Sequence, residues 1–112
     1  MSIEAAMSKT VQDMIGCSER DRYRDGLHQM IPHYMHEALI NYLERGAIPG
    51  DFLQAVISNN FCVAVTRADG VNEASLRQYA IFLLNFVPDD CHGSRKKMIA
   101  WNKRGGLLGR KA

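Results

Sequence analysis

The apolar residues that follow Pro32 recur at the spacing of an α-helix, and this pattern constrains the fold more than any other feature of the chain. Five of them occupy positions i, i+3, i+4, i+7 and i+8: Met35, Ala38, Leu39, Tyr42 and Leu43. Residues at this spacing share one face of a helix, so the pattern predicts an amphipathic helix that packs on a core. Pro32 suits its first turn and Gly46 its end, because proline fixes φ and glycine tolerates the left-handed conformation.

Helical spacing also runs through most of the remaining chain. It predicts helices over residues 3–15, over a short stretch after Ser18, from Asp51 through Asn59 and Asn60 to Ala68, over residues 73–87 and over residues 94–103. No segment alternates apolar and polar residues with the period of a β-strand. The sequence therefore predicts an all-α fold, a compact bundle of five or six helices.

The 112 residues suffice for one domain of ordinary size, and their charges are unevenly distributed. We predict a single helical domain over residues 1–103 and a flexible, basic C-terminal tail over residues 104–112. Residues 1–90 contain seven Lys and Arg against twelve Asp and Glu, whereas residues 91–112 contain seven Lys and Arg and no acid. An acidic body with a basic end favours partners that respond to charge.

The basic end is a candidate site for nucleic acid or nucleotide phosphate. Free backbone N–H groups at a helix start after Gly93, beside several cations, can hold an anion, and a tryptophan can stack on a base. The candidate residues are Ser94, Arg95, Lys96, Lys97, Trp101, Lys103 and Arg104. In the alternative interpretation the cations are solvated, and Trp101, three residues after Met98, anchors the helix to the core.

The segment YAIFLLNFV within residues 73–87 is apolar almost all round a helix. Such a helix is either central in the fold or has one face covered by another chain, which favours a homo-oligomer, most simply a dimer. The candidate interface residues are Tyr79, Phe82, Phe86 and Asn60. Asn60 interrupts an otherwise apolar row, so its amide is predicted either to form a hydrogen bond that fixes helix register or to contact a partner.

Patterns for catalysis and metal binding are weak. His28, His33 and His36 lie close together in the sequence, but HExxH, CxxC and glycine-rich phosphate-binding motifs do not occur. A cysteine or serine nucleophile needs a base and an orienting group, and no motif in the sequence combines these three groups. We therefore predict a protein that is not an enzyme, has no catalytic residue and uses no metal or cofactor. The three histidines leave a metal site as a further alternative.

Cysteine usage and hydropathy predict a location. Cys17, Cys62 and Cys91 are odd in number and widely spaced, which is typical of a reducing compartment. Residues 1–16 contain no uninterrupted apolar stretch, and no segment approaches the length of a membrane span. We expect a cytoplasmic protein with no membrane contact.

Four segments of the chain, IPHYM, PGDFLQAVISNN, RADGVN and CHGSRKKMIAW, together resemble a family of small, mostly uncharacterised proteins encoded by phages and prophages. The resemblance covers about residues 31–101, and Asn60 stands where the family pattern often has aspartate. It implies an accessory protein that works by binding, and it assigns no functional residue to this chain.

The function expected from these patterns is non-catalytic binding. We expect a protein that binds and modulates or inhibits a host protein, such as a component of anti-phage defence, in the cytoplasm of the host cell. The alternative is the binding of nucleic acid, or the binding and sequestration of a nucleotide, through the basic C-terminal region.

Overall fold

Helices account for most of the described chain, which is residues 19–109 of the computed structural model. Eight α-helices lie in that range: α1 (Glu19–Met30), α2 (His36–Arg45), α3 (Asp51–Ile57), α4 (Phe61–Arg67), α5 (Gly70–Ala74), α6 (Leu76–Asn85), α7 (Arg95–Arg104) and α8 (Gly106–Gly109). Short 3₁₀ turns lie at His33–Met35 and Asp89–Cys91. The all-α class is confirmed for these residues, but five or six helices is too few. The helix expected over residues 3–15 lies outside the described residues, as does Ser18.

The single long helix predicted from Asp51 to Ala68 is instead two short helices. Asn59 adopts a left-handed conformation with φ of 63°, and the Asn60 side chain caps α4 by accepting a hydrogen bond from the Val63 N–H at 3.3 Å. Asparagine tolerates the left-handed region and is among the preferred N-cap residues, so the pair ends α3 and starts α4. The two helices then pack against each other as a hairpin.

The helix predicted over residues 73–87 is also divided, at Ser75. Asp69 caps α5 by accepting from the Asn72 N–H at 2.8 Å, and Asn72 lies inside this short helix. Its side chain is buried and accepts a hydrogen bond from the Tyr79 hydroxyl at 2.6 Å. This bond ties the short α5 to the longer α6 and satisfies a buried amide oxygen.

The core lies where α1, α2, α3, α6 and α7 meet. Its largest fully buried side chains are Trp101, Tyr23, Tyr42, Tyr79, Phe82, Leu27, Leu39, Leu43, Leu53, Ile57, Met98 and Cys91. Gly26 allows α1 to approach α6 closely, because a Cβ there would lie 2.6 Å from Cγ of Phe86. A glycine that weakens helix propensity is therefore required by packing at this crossing.

The basic tail predicted to begin at residue 104 does not begin there. Arg104 is the last residue of α7, and the chain then turns through Gly105 and Gly106, whose φ values are 86° and 72°. A Cβ on Gly106 would lie 2.6 Å from the backbone of Glu44, so α8 packs directly on α2. The two left-handed glycines account for the difference, since they reverse the chain onto the body. Residues 110–112 lie outside the described residues.

No helix within residues 19–109 combines the length and the apolar character that crossing a membrane requires. The longest, α1, has 12 residues, whereas a span needs about 20.

Candidate functional site

An apolar groove lies between the α3–α4 hairpin and α6. Its volume is about 480 Å³, and we call it the α3–α6 groove. Its apolar lining is formed mainly by Ala55, Val56, Phe61, Ala64, Leu83 and Leu84. Among the described residues that line it there is no aspartate or glutamate. A concave, mostly apolar surface with few polar groups is the usual form of a binding site.

The local sequence explains why this groove stays open. The break at Asn59 and Asn60 turns α4 away from the line of α3, and Phe61 projects from the first position of α4. The opposite wall is α6, where Ala80 is exposed and lies one helical turn before Leu84. Because alanine lines both walls, at Ala64 and Ala80, the helices leave space that larger side chains would fill.

Two large apolar side chains at the groove are mostly exposed to solvent. Phe61 is 72% exposed and Leu84 is 70% exposed, the highest values for large apolar residues within residues 19–109. Neither residue is among the candidates predicted from the sequence. The available signals were the turn-forming Asn59–Asn60 pair immediately before Phe61 and the unbroken apolar run that contains Leu84.

Two polar side chains also line the groove. Arg77 is exposed and forms no ion pair with any described residue. His92 is half-buried, and its Nε2 atom is buried without a hydrogen-bond partner among residues 19–109. Burial lowers the pKa of His92; the charge of Asp89 opposes this effect, and that of Lys97 adds to it. The imidazole is therefore neutral at neutral pH.

The interface residues chosen from the sequence do not lie together on a free surface. Tyr79 and Phe82 are buried in the core, and Phe86 is half-buried where its ring stacks on that of Phe82 at 6.3 Å. The chain covers Phe82 and Phe86 with its own helix α1, whereas Tyr79 and Asn60 both line the α3–α6 groove, so the interface stays a prediction. Asn60 is exposed at the edge of the groove, and its amide caps α4 instead of lying buried in an apolar row.

At the basic end, the structure gives Trp101 the anchoring role of the alternative interpretation. Trp101 is 1% exposed, and its Nε1–H donates to the Tyr42 carbonyl at 2.9 Å. It therefore has no free face on which a base could stack. Ser94 caps the start of α7, because its hydroxyl accepts from the Lys97 N–H at 3.1 Å. The helix start is thus satisfied in part from within the chain.

The cations of this region differ in their availability. Arg104 pairs with Asp90 at 2.9 Å and lies over the Trp101 ring, 5.1 Å from its centroid. The Lys97 ammonium donates to the Asp89 carbonyl at 3.3 Å. The remaining candidates are exposed: Arg95, Lys96 and Lys103. The structure therefore spreads the predicted phosphate-binding residues over a solvated helix instead of gathering them around one pocket.

The histidines are brought near one another without forming a metal centre. The ring centroids of His33 and His36 are 5.2 Å apart, and those of His28 and His36 are 6.4 Å apart. The His36 Nε2–H donates to the Ile31 carbonyl at 2.8 Å, which occupies one nitrogen. Within residues 19–109 no group of three or more His, Cys, Asp or Glu side chains is placed to hold a metal ion.

The two cysteines in the described range lie in different surroundings. Cys62 is exposed on α4, and Cys91 is buried with its Sγ–H donating to the Pro88 carbonyl at 3.1 Å. Burial of Cys91 keeps its thiol from solvent, so this position does not present a nucleophile at the surface.

A buried carboxylate that is not among the candidates predicted from the sequence lies on α2. Glu44 accepts hydrogen bonds from the Tyr23 hydroxyl and from Arg24, and it also pairs with Arg20 at 3.1 Å. Burial raises the pKa of Glu44, but the bonds from Tyr23 and Arg24 outweigh it and hold the pKa below its ordinary value. Burial and the bond to Glu44 together raise the pKa of Tyr23 to about 12. Arg20 and Arg24 are four residues apart and share one face of α1, and this spacing was the sequence pattern that could have indicated the cluster. The cluster fixes α1 on α2.

Comparison of the chain with protein-family models, with curated proteins and with solved structures gives no match.

Proposed function

We propose that this protein is a non-catalytic protein-binding module and that the α3–α6 groove is its recognition surface. The observation that carries this proposal is an open apolar groove of about 480 Å³ flanked by Phe61 and Leu84, both at least 70% exposed. Burial of such a side chain stabilises a folded protein or a complex by about 1.5–3 kcal/mol. These are the two most exposed large apolar side chains within residues 19–109, and their position at one groove favours a partner there.

The partner in this proposal is a host protein that the module modulates or inhibits by occupying one of its surfaces, in the cytoplasm of the host. The resemblance to phage-encoded accessory proteins supports this context, and a component of anti-phage defence is the kind of host protein it suggests. Cover of the groove by such a partner would desolvate Phe61, Leu84 and Ala80 together. The recognition energy would then come from a compact apolar centre, as in most protein interfaces.

The homodimer expected from the sequence stays a prediction. The α6 surface that could form it is smaller than the sequence indicates, because Tyr79 and Phe82 are buried within the chain and Phe86 is half-buried. The apolar surface that remains for self-association on α6 is the side that carries Ala80 and Leu84.

Binding of nucleic acid or a nucleotide through α7 is the second candidate function. Exposure of Arg95, Lys96 and Lys103 favours it, since solvated cations attract phosphate without any sequence preference. The buried Trp101 removes base stacking from this candidate, so what remains of it is electrostatic.

Substitution in the groove tests the proposed function. Ala80 is exposed on α6, so Ala80→Arg fills the groove at little cost to folding, and Ala100→Arg makes the same change at an exposed position of α7 outside the groove. A photo-crosslinking residue at position 84 should attach one host protein to the wild type and to Ala100→Arg, before and after nuclease treatment. Ala80→Arg should lose this product. A product that persists in Ala80→Arg, or that disappears with nuclease, would contradict the proposal.

A further inference from the structure

We infer that the α3–α6 groove receives an amphipathic helical segment of another protein, with its apolar face in the groove and carboxylates beside that face. This inference rests on the proposed function of the groove and specifies the chemistry of its partner. It follows from the apolar walls of the groove, from its charge and from a buried nitrogen of His92 that has no hydrogen-bond partner within residues 19–109.

The apolar walls favour a helix over an extended peptide. An extended segment exposes backbone N–H and C=O groups, which need partners when they are buried. Sheet edges that accept such a segment are absent from residues 19–109, where every regular element is helical. A helix satisfies its own backbone and needs only side-chain contacts. The ten residues of α6 extend over about 15 Å, which matches about three turns of a partner helix.

The charges at the groove select carboxylates. Arg77 lies at the groove and has no ion pair with any of residues 19–109, and no described lining residue is acidic. Beyond Asn60 and Ala55 the groove adjoins a smaller polar hollow of about 210 Å³, which is lined in part by Arg67 and Arg95. Arg67 is paired with Asp51 at 3.3 Å, whereas Arg95 has no ion pair among residues 19–109. A partner with acidic residues flanking its apolar face complements both unpaired arginines.

The same charges argue against a second copy of this chain as the occupant. A two-fold dimer brings the same patch of each protomer together. The groove of one protomer would face the groove of the other, and Arg77 would meet a surface that also carries Arg77 and no lining carboxylate. Like charges placed opposite each other act against self-association.

His92 adds a polar requirement to this apolar surface. Its Nε2 atom is buried and has no hydrogen-bond partner among residues 19–109. A neutral imidazole donates from one nitrogen and accepts at the other, so Nε2 can take either role. A serine, threonine or asparagine within the apolar face of the partner helix can both donate and accept, and would supply the missing partner.

Selection from a displayed library of helical peptides on the full chain tests the inference. The enriched peptides should share apolar residues at i, i+3 or i+4 and i+7, with aspartate or glutamate beside them. Arg77→Glu should weaken such a peptide by about 3- to 10-fold, because it replaces an attraction with a repulsion. Lys103→Glu makes the same charge change on α7, outside the groove, and should leave the affinity unaltered. Replacing the acids of the peptide with lysine should reverse the preference between wild type and Arg77→Glu.

The outcomes separate this inference from the proposed function. If no selected peptide is lost on Ala80→Arg, with Leu84→Glu as a second groove variant, the groove is not a recognition surface and both fail. If groove-dependent peptides are neutral or basic, or bind Arg77→Glu as well as wild type, the groove binds protein but its partner is not acidic. Sedimentation that shows a dimer lost on Ala80→Arg would make the occupant a second copy and overturn the inference. If Ala80→Arg lowers the Tm of the peptide-free protein and Ala100→Arg does not, residues of this chain itself occupy the groove. That outcome would overturn the inference.

Discussion

Helix α7 and the α3–α6 groove use their large apolar side chains in opposite ways. In α7, Met98 and Trp101 are 2% and 1% exposed and hold the helix to the core, while its cations face solvent. At the groove, Phe61 and Leu84 face solvent and contribute little to the core. The region that looks functional in the sequence therefore uses its aromatic residue for stability. The region that looks like core leaves apolar surface for a partner.

The difference teaches that composition indicates what a segment contains but not which groups remain accessible. A tryptophan among cations is typical of nucleic-acid binding, yet here its ring and its N–H are both engaged within the chain. Stability and recognition are consequently carried by separate residues, and substitutions should separate them.

The largest expected effect comes from Trp101→Ala. Loss of a fully buried aromatic side chain and of its hydrogen bond to Tyr42 should lower the free energy of unfolding by about 3–5 kcal/mol. Phe61→Ala, by contrast, should change it by no more than about 0.5 kcal/mol, because Phe61 is mostly exposed. Urea unfolding followed by circular dichroism measures both. Equal losses for the two variants would remove the distinction between the regions.

The fold class could be predicted because apolar spacing is a local property of the sequence. The break at Asn59 and Asn60 could not be found in the same way, because the spacing by four continues across the turn from Val56 through Asn60 to Ala64. Only the left-handed Asn59 and the cap at Asn60 interrupt the helix. Periodicity reports which residues share a face, and it does not report whether the backbone between them stays helical.

The candidate site was harder to predict, because exposure depends on which elements pack together. In α6 the sequence gives Phe82 and Leu84 nearly equal hydropathy, yet α1 covers the first and nothing in residues 19–109 covers the second. The start of the tail was missed for the same reason. Its glycines look like loop residues in the sequence, but at Gly106 the absent Cβ is what allows contact with α2.

The wall of the groove gives a prediction of intermediate size. Asn60→Ala removes the cap of α4 and should lower the free energy of unfolding by about 1 kcal/mol, and it should also weaken partner binding because Phe61 follows the cap. Asn59→Gly is the matched control, since glycine adopts positive φ without strain and should keep or slightly raise stability. Thermal unfolding and peptide affinity, measured on both variants, test whether the cap at Asn60 holds this wall of the groove in place. Unchanged binding in Asn60→Ala would show that the position of Phe61 does not depend on the cap.

The smallest expected effect concerns phosphate binding by α7. If the basic helix binds nucleic acid through solvated cations, a single-stranded oligonucleotide should bind weakly, without sequence preference, and less tightly as salt rises. Lys96→Glu should then reduce the slope of log affinity against log salt by about 1, because one phosphate contact is lost. Arg77→Glu provides the comparison at the groove: it makes the same charge change and should affect the acidic peptide but leave this slope unaltered. Fluorescence anisotropy at several salt concentrations measures both ligands on both variants. An oligonucleotide that binds tightly at physiological salt, or whose binding Arg77→Glu weakens as much as Lys96→Glu does, would show that the two regions form one recognition surface.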